Sequence, residues 1–268
     1  MTLPPRLRHC IRLALLTCAA AVAAPAQAAG RPACDRPFSL GLHEHGLLYS
    51  SQTGEGIDQD VADELARRSG CKINVSVMPR ARIWQLIESG VLDFSLSGIG
   101  NEARDRFAAF AWYFSNRYYL LVRKDAGVQK LADFDANPAL KLGVIRSFRY
   151  SPTANRLVDR LEAQGRISQA TTLAPLFQVL LDNRVQAMII EPFDYPTLQS
   201  PRIREQTQII EFDDPPVPHG LIMSRKALAP AEQQAWRELV DAMRADGTVT
   251  RIFEKYFKRE LARSMTEF

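Results

Sequence analysis

Past residue 34 the apolar residues form short runs that switch repeatedly between the two-residue period of a strand and the 3.6-residue period of a helix. Phe38 to Leu42 reads as a strand, and Gly56 to Ser69 as a helix with Ile57, Val61 and Leu65 on one face, Asp58 able to cap its start and Gly70 ending it. Ile73 to Val77 is a second strand, Ala81 to Ser89 a helix stopped by Gly90, and Leu92 to Leu96 a third strand. The order then recurs. Leu140 to Ile145 is strand-like, Thr153 to Gln164 keeps Leu157, Val158 and Leu161 on one helical face, and Leu173, Leu176, Phe177, Leu180 and Leu181 mark a buried helix. Val185 to Ile190 is a continuous apolar run, which suits a parallel strand covered on both faces. Two closing helices follow, around Trp236 to Met243 and Val249 to Phe257. A βαβαβ order read twice predicts two α/β lobes with mostly parallel sheets flanked by helices. The predicted division is 29–118 for the first part of lobe one, 119–216 for lobe two and 217–268 for the return to lobe one. Two extended stretches are expected to carry the chain across: Tyr118-Tyr119-Leu120-Leu121-Val122 and Asp213 to Pro218, rich in proline.

The N-terminus reads as an address. Arg6, Arg8 and Arg12 precede a small, apolar run from Leu13 to Ala24, then Ala26-Gln27-Ala28, so residues 1–28 are expected to be a cleaved signal peptide. The run is too short for a membrane span, and Thr17 is bulky for the position before a lipidated Cys18. The net charge of +4 owes three of its charges to those arginines, leaving +1 for the exported chain. That balance argues against nucleic acid or an anionic membrane as partner. The exported chain keeps two cysteines, Cys34 and Cys71. Each stands just before a predicted strand, with one helix between, and in a right-handed βαβ unit those positions share one edge. A disulfide is expected there.

Four segments carry a resemblance to a known family. They are Gly56-Ile57-Asp58-Gln59-Asp60-Val61; Trp84 to Ser89 with Gly90-Val91-Leu92-Asp93; Asn101-Glu102-Ala103-Arg104 ahead of Phe110 and Trp112 to Phe114; and Asp246-Gly247-Thr248 before Ile252, Lys255 and Tyr256. In this order and spacing the chain resembles the type II periplasmic binding proteins for polar amino acids, the solute-binding family 3 group, from about Cys34 to Phe257. The resemblance implies a two-lobed clamshell with two hinge crossings that captures an amino-acid-like ligand, without a cofactor, for an ABC permease or a membrane sensor. Asn101 stands where the family usually has Thr, Gln186 where it has Asp, and Glu191 where an Asp commonly meets the ligand's ammonium group. Arg104 matches the arginine of the motif, with Arg106 as a rival two residues on.

Candidate site residues also follow from where ligands sit in open α/β sheets, beyond the C-terminal ends of the strands. That rule selects Glu44 and Tyr49 after the first strand, Ser97 and Gly98 after the third, Ser147 and Phe148 after the first strand of lobe two, and Glu191 at the end of Val185–Ile190. Arg104, with Asn101 beside it, offers a planar fork for a carboxylate, and Trp112 offers a face for stacking. Glu191 follows an apolar run, where a carboxylate needs a cationic partner. Arg80 and Arg82, ahead of the Ile83 helix face, could add positive charge to the cleft, but are read in preference as surface residues. His43 and His45 share a face of an extended strand while Glu44 faces away, and a metal would need a third ligand that the sequence does not offer. Neither a serine nucleophile elbow nor a phosphate loop appears, so the expectation is a monomeric binder and not an enzyme. The alternative is a carbon–oxygen lyase of the cyclohexadienyl dehydratase type, a relative of the same fold.

Overall fold

A computed structural model describes residues 31–268. The signal-peptide reading of residues 1–28 lies outside the described residues. Among the described residues ten strands form two five-stranded sheets. The first holds β1 (Phe38–Leu42), β2 (Ile73–Val77), β3 (Phe94–Gly98), β4 (Ala108–Asn116) and β10 (Val217–Ser224), in the order β2-β1-β3-β10-β4. The second holds β5 (Tyr119–Arg123), β6 (Leu142–Ile145), β7 (Ile167–Ala170), β8 (Ala187–Ile190) and β9 (Thr207–Glu211), in the order β7-β6-β8-β5-β9. Each sheet has a parallel trio joined to two antiparallel strands.

The sheets are therefore mixed, which refines the expected mostly parallel arrangement. Helix-length crossovers produce the parallel trio in each lobe. β4 and β10 are different in kind: they carry the chain out of the first lobe and back, so they lie antiparallel to each other. Tyr119 to Val122 is also not a linker, because it pairs with both β8 and β9 inside the second sheet. The chain crosses at Arg117 and Tyr118, and again between Glu211 and Val217.

Each sheet is buried by the helices its sequence pattern marks. In lobe one, Trp236 of the helix Pro230–Ala245 meets Phe38 and Phe94 edge-on, with ring centroids 5.2 and 4.8 Å apart. That contact brings the C-terminal helices back onto the first sheet and places the end of the chain in lobe one. In lobe two, Leu157 and Leu161 cover one face while Leu176, Phe177 and Leu180 cover the other. With both faces covered, β8 needs the unbroken apolar run Ala187–Ile190.

Helix α1 (Ile57–Ser69) ends on Gly70 at φ 75°, whose N–H donates to the Ala66 carbonyl. Its start departs from the sequence reading. Gly56 is the residue before the helix and no side chain caps it. Asp58 is turned inward and buried instead, accepting from Ser97 Oγ at 2.5 Å. Cys34 and Cys71 are joined by a disulfide, with Cα atoms 5.0 Å apart. The bridge ties the segment before β1 to the segment before β2, at the end of the parallel trio opposite the loops described next.

Candidate functional site

The C-terminal ends of β1 and β3 face the corresponding ends of β6 and β8 across a small, partly open cavity of about 30 Å³. Helix α2 (Arg80–Ser89) and the single turn α3 (Glu102–Asp105) close its lobe-one side. Of the residues selected from sequence, Ser97, Gly98, Arg104, Ser147, Phe148 and Glu191 line it.

Arg104 is held from three directions. Asn101 caps the turn by accepting the Arg104 N–H at 2.9 Å, which fixes where the side chain starts. The guanidinium lies over the Trp84 ring, 3.9 Å from its centroid. It donates to the Ile99 carbonyl at 2.9 Å and, across the cleft, to the Ser147 carbonyl at 2.8 Å. Burial, and then the charge of Arg80, push its pKa down to about 9. Arg106 is exposed and lies outside the cavity lining.

Arg80 overturns the reading of it as a surface residue. It is 4% exposed. It donates to Ser95 Oγ at 3.3 Å and the Leu96 carbonyl at 3.1 Å, and its other terminal nitrogen lies 3.2 Å from His43 Nε2. Burial lowers its pKa to about 10 and also holds His43 well below its usual range, so His43 is neutral. One sequence signal pointed this way. The first turn of α2 carries no acid, and a cation there opposes the helix dipole, so Arg80 needed a reason to be there.

Glu191 is also buried, and it joins the lobes. Its Oε1 lies 2.6 Å from His45 Nε2, and its Oε2 accepts from Asn116 Nδ2. Asp194 Oδ1 stands 3.5 Å from the same imidazole nitrogen, and the Asp194 carboxylate takes the Glu191 N–H at 3.0 Å. Burial alone would lower the His45 pKa, but the bond to Glu191 and the charge of Asp194 raise it. Both oxygens of Glu191 thus have partners from the protein. The cation expected for this carboxylate was a solute's ammonium group; in the structure its nearest cationic partner is an imidazole of the opposite lobe.

Two backbone positions are strained here. Among the described residues only Ser97, Ser147 and Asn183 combine a side chain with positive φ, and the first two, at 51° and 63°, line the cavity. At Ser147 that conformation accompanies the carbonyl that receives Arg104; at Ser97 it accompanies the hydroxyl bonded to Asp58.

The remaining selected residues lie elsewhere. Glu44 accepts the Ser51 N–H at 3.0 Å, Tyr49 belongs to the core of lobe one, and Trp112 stacks on Phe110 with centroids 4.8 Å apart. Asn101 supports Arg104 without lining the cavity. Sequence reasoning missed His43, Trp84, Tyr118, Arg149 and His219 as lining residues, and preferred the surface over the cleft for Arg80. The rings of His43 and His45 are 5.4 Å apart, yet no group of three or more metal-ligating side chains occurs among the described residues.

The sequence profile of the bacterial extracellular solute-binding proteins, family 3, matches residues 44–259. The chain belongs to this family. Members of the family are extracellular, and among the described residues no helix is long and apolar enough to cross a membrane. No curated sequence matches the chain. Solved structures share the fold. An ancestral arginine-binding protein bound to arginine superposes with TM-score 0.69 at 21% identity, covering 82% of this chain and 98% of the other. The arginine-, lysine-, histidine-binding protein ArtJ from Geobacillus stearothermophilus gives 0.68 at 19% identity, covering 83% and 95%. The ancestral amino acid-binding protein AncCDT-1, a precursor of cyclohexadienyl dehydratase, gives 0.67 at 21%, covering 83% and 96%. The family and these neighbours are mostly binding proteins. In this family the two mixed sheets are the two lobes, and the cavity lies where they meet.

Proposed function

We propose that this family member captures a small amino-acid-like solute in the periplasm, between its two lobes, and presents it to an ABC permease or a membrane sensor. One observation carries the reading. The Arg104 guanidinium is buried at the cavity with no carboxylate within 4 Å among the described residues. A buried cation without a counter-ion is costly, and a solute carboxylate on its planar fork would relieve that cost. Because Arg104 already reaches across to Ser147, a carboxylate bound there would sit at the seam and favour the joined state.

The test is calorimetry on the purified protein with a solute found by thermal-shift screening. Arg104→Ala is expected to weaken binding about 30-fold or more, since removing one partner of a buried charge pair costs on the order of 2–5 kcal/mol. Unchanged affinity would refute the reading. The protein is read as a binder, so incubation with prephenate or arogenate is expected to release no product; measurable turnover would establish the lyase instead.

Closure has its own test at Gly46. This residue has φ 47°, and a methyl group there would overlap the Phe193 carbonyl, which accepts the neighbouring Leu47 N–H at 2.9 Å. Gly46→Ala is therefore expected to hold the lobes apart and also to lower stability, because Phe193 is fully buried against Phe114 and Phe257 in the core of lobe one. Small-angle scattering at saturating solute should give a larger radius of gyration than the unmodified chain; equal radii would contradict this account of the seam.

A further inference from the structure

The cavity holds a second guanidinium that capture of a simple amino acid does not use. Arg80 and Arg104 both line it, yet neither has a carboxylate within 4 Å among the described residues. Their hydrogen-bond partners are neutral: carbonyls, a hydroxyl and an imidazole held neutral by burial. A guanidinium has five N–H donors. Arg80 uses three and Arg104 two, so each has donors left over.

The acids in reach balance this charge only from a distance. Asp58 acts on Arg80 through its charge, but it is bonded to Ser97 Oγ, with Tyr113 Oη at 3.4 Å, and does not line the cavity. Glu191, the acid that does line it, is held by His45 and Asn116. A third arginine at the rim, Arg149, has its own partner in Asp159 at 2.6 Å. The charge of Arg80 bears on Arg104 unfavourably, so two like charges share one small, partly dry space. A single carboxylate would answer one of them.

We propose that the solute is a dicarboxylate, with one carboxylate on Arg104 and the second on Arg80. This rests on the capture reading above and names the class of solute it takes. A solute with a cationic side chain, of the kind bound by ArtJ, would bring a third positive charge against these two. In the joined state the cavity of about 30 Å³ has room for only about two water molecules, so a dicarboxylate enters when the lobes part.

Four probes at fixed ionic strength decide the question by calorimetry: succinate and L-glutamate with two carboxylates, L-glutamine with one, and L-arginine with a cationic side chain. One of the dicarboxylates is expected to bind at least tenfold more tightly than glutamine, and arginine to give no heat at millimolar concentration. Arg80→Gln should lower dicarboxylate affinity about 30-fold and glutamine affinity by a smaller factor, so that the dicarboxylate preference falls below threefold. If Arg80→Gln fails to fold, Arg80→Lys replaces it; a kept charge without the fork should lower dicarboxylate affinity three- to tenfold and shrink the preference in the same direction. Glutamine or arginine binding as tightly as both dicarboxylates, no heat from any of the four, or a dicarboxylate preference that survives Arg80→Gln would each overturn the assignment. Those results leave Arg104→Ala, measured with whichever solute binds, as the separate judge of capture itself.

Discussion

Replacing both Cys34 and Cys71 with alanine is expected to cost about 4 kcal/mol of stability while leaving solute affinity unchanged. The bridge closes a loop with a sequence separation of 37, and removing such a cross-link frees the unfolded chain by about that amount on the loop-entropy account. For a chain of this size the loss corresponds to a fall in melting temperature of roughly 8–16 °C. The second half of the expectation comes from geometry. The bridge precedes β1 and β2, whereas the cavity begins with His43, just past the other end of β1. A five-residue strand separates them by roughly 16 Å. Thermal melts and calorimetry on the double variant read both quantities. A melting temperature within about 3 °C of the unmodified chain, or an affinity shifted by tenfold, would show that the bridge does something other than staple the edge of lobe one.

Glu191→Ala is expected to weaken the joined state by about 3–5 kcal/mol, because it strips the partner from a buried imidazole and a buried amide at once. His45 belongs to lobe one and Glu191 to lobe two, so the loss falls on the contact between them. Scattering should show an expanded particle, and melting should move to lower temperature. The same cluster makes stability depend on pH, and its sign can be worked out. The folded-state pKa of His45 is raised, so its contribution is complete below about 6.5 and disappears as pH rises through the folded value. Burial, with Glu191 adding to it, raises Asp194 to about 7, so the folded state keeps a proton that the unfolded chain has released, and stability again falls with rising pH. Asp58, raised by burial to about 6, acts in the same direction. His43 and His219 oppose them: burial lowers both, His219 to about 4, and their favourable effect on raising pH levels off above about 6.5. Between pH 6.5 and 8 the falling contributions outweigh the last of that rise. One proton of difference is worth about 1.4 kcal/mol per pH unit, so a decline of about 1–2 kcal/mol is expected across that window. Glu191→Ala should flatten it. Stability that rises from pH 6.5 to 8 would contradict the protonation states assigned to His45 and Asp194.

The two lobes were legible in the sequence because their cause is local. A parallel trio needs helical crossovers, crossovers need amphipathic runs of a definite length, and Ile57-Val61-Leu65 and Leu173-Leu176-Phe177-Leu180 show them in the chain itself. The disulfide was legible for the same reason: cysteines that each precede one strand of a βαβ unit end up on one edge. Strand ends likewise led to Ser97, Gly98, Ser147, Phe148 and Glu191, because in such sheets the position along a strand determines which end of the sheet a loop occupies. What the sequence could not determine were the properties that depend on which element lies opposite. Arg80 looked like one charge in a run, and only the packing of α2 over β3 buries it against Ser95, Leu96 and His43. Asp58 had the position of a helix cap, but the approach of β3 offered Ser97 and Tyr113 as better partners. Glu191 was recognisable as a buried acid in need of a cation, yet that cation, His45, is 146 residues away in the sequence and on the other lobe. A periodic pattern records how a segment meets its own sheet; the charge balance of a cleft is decided only when two separately built lobes come face to face.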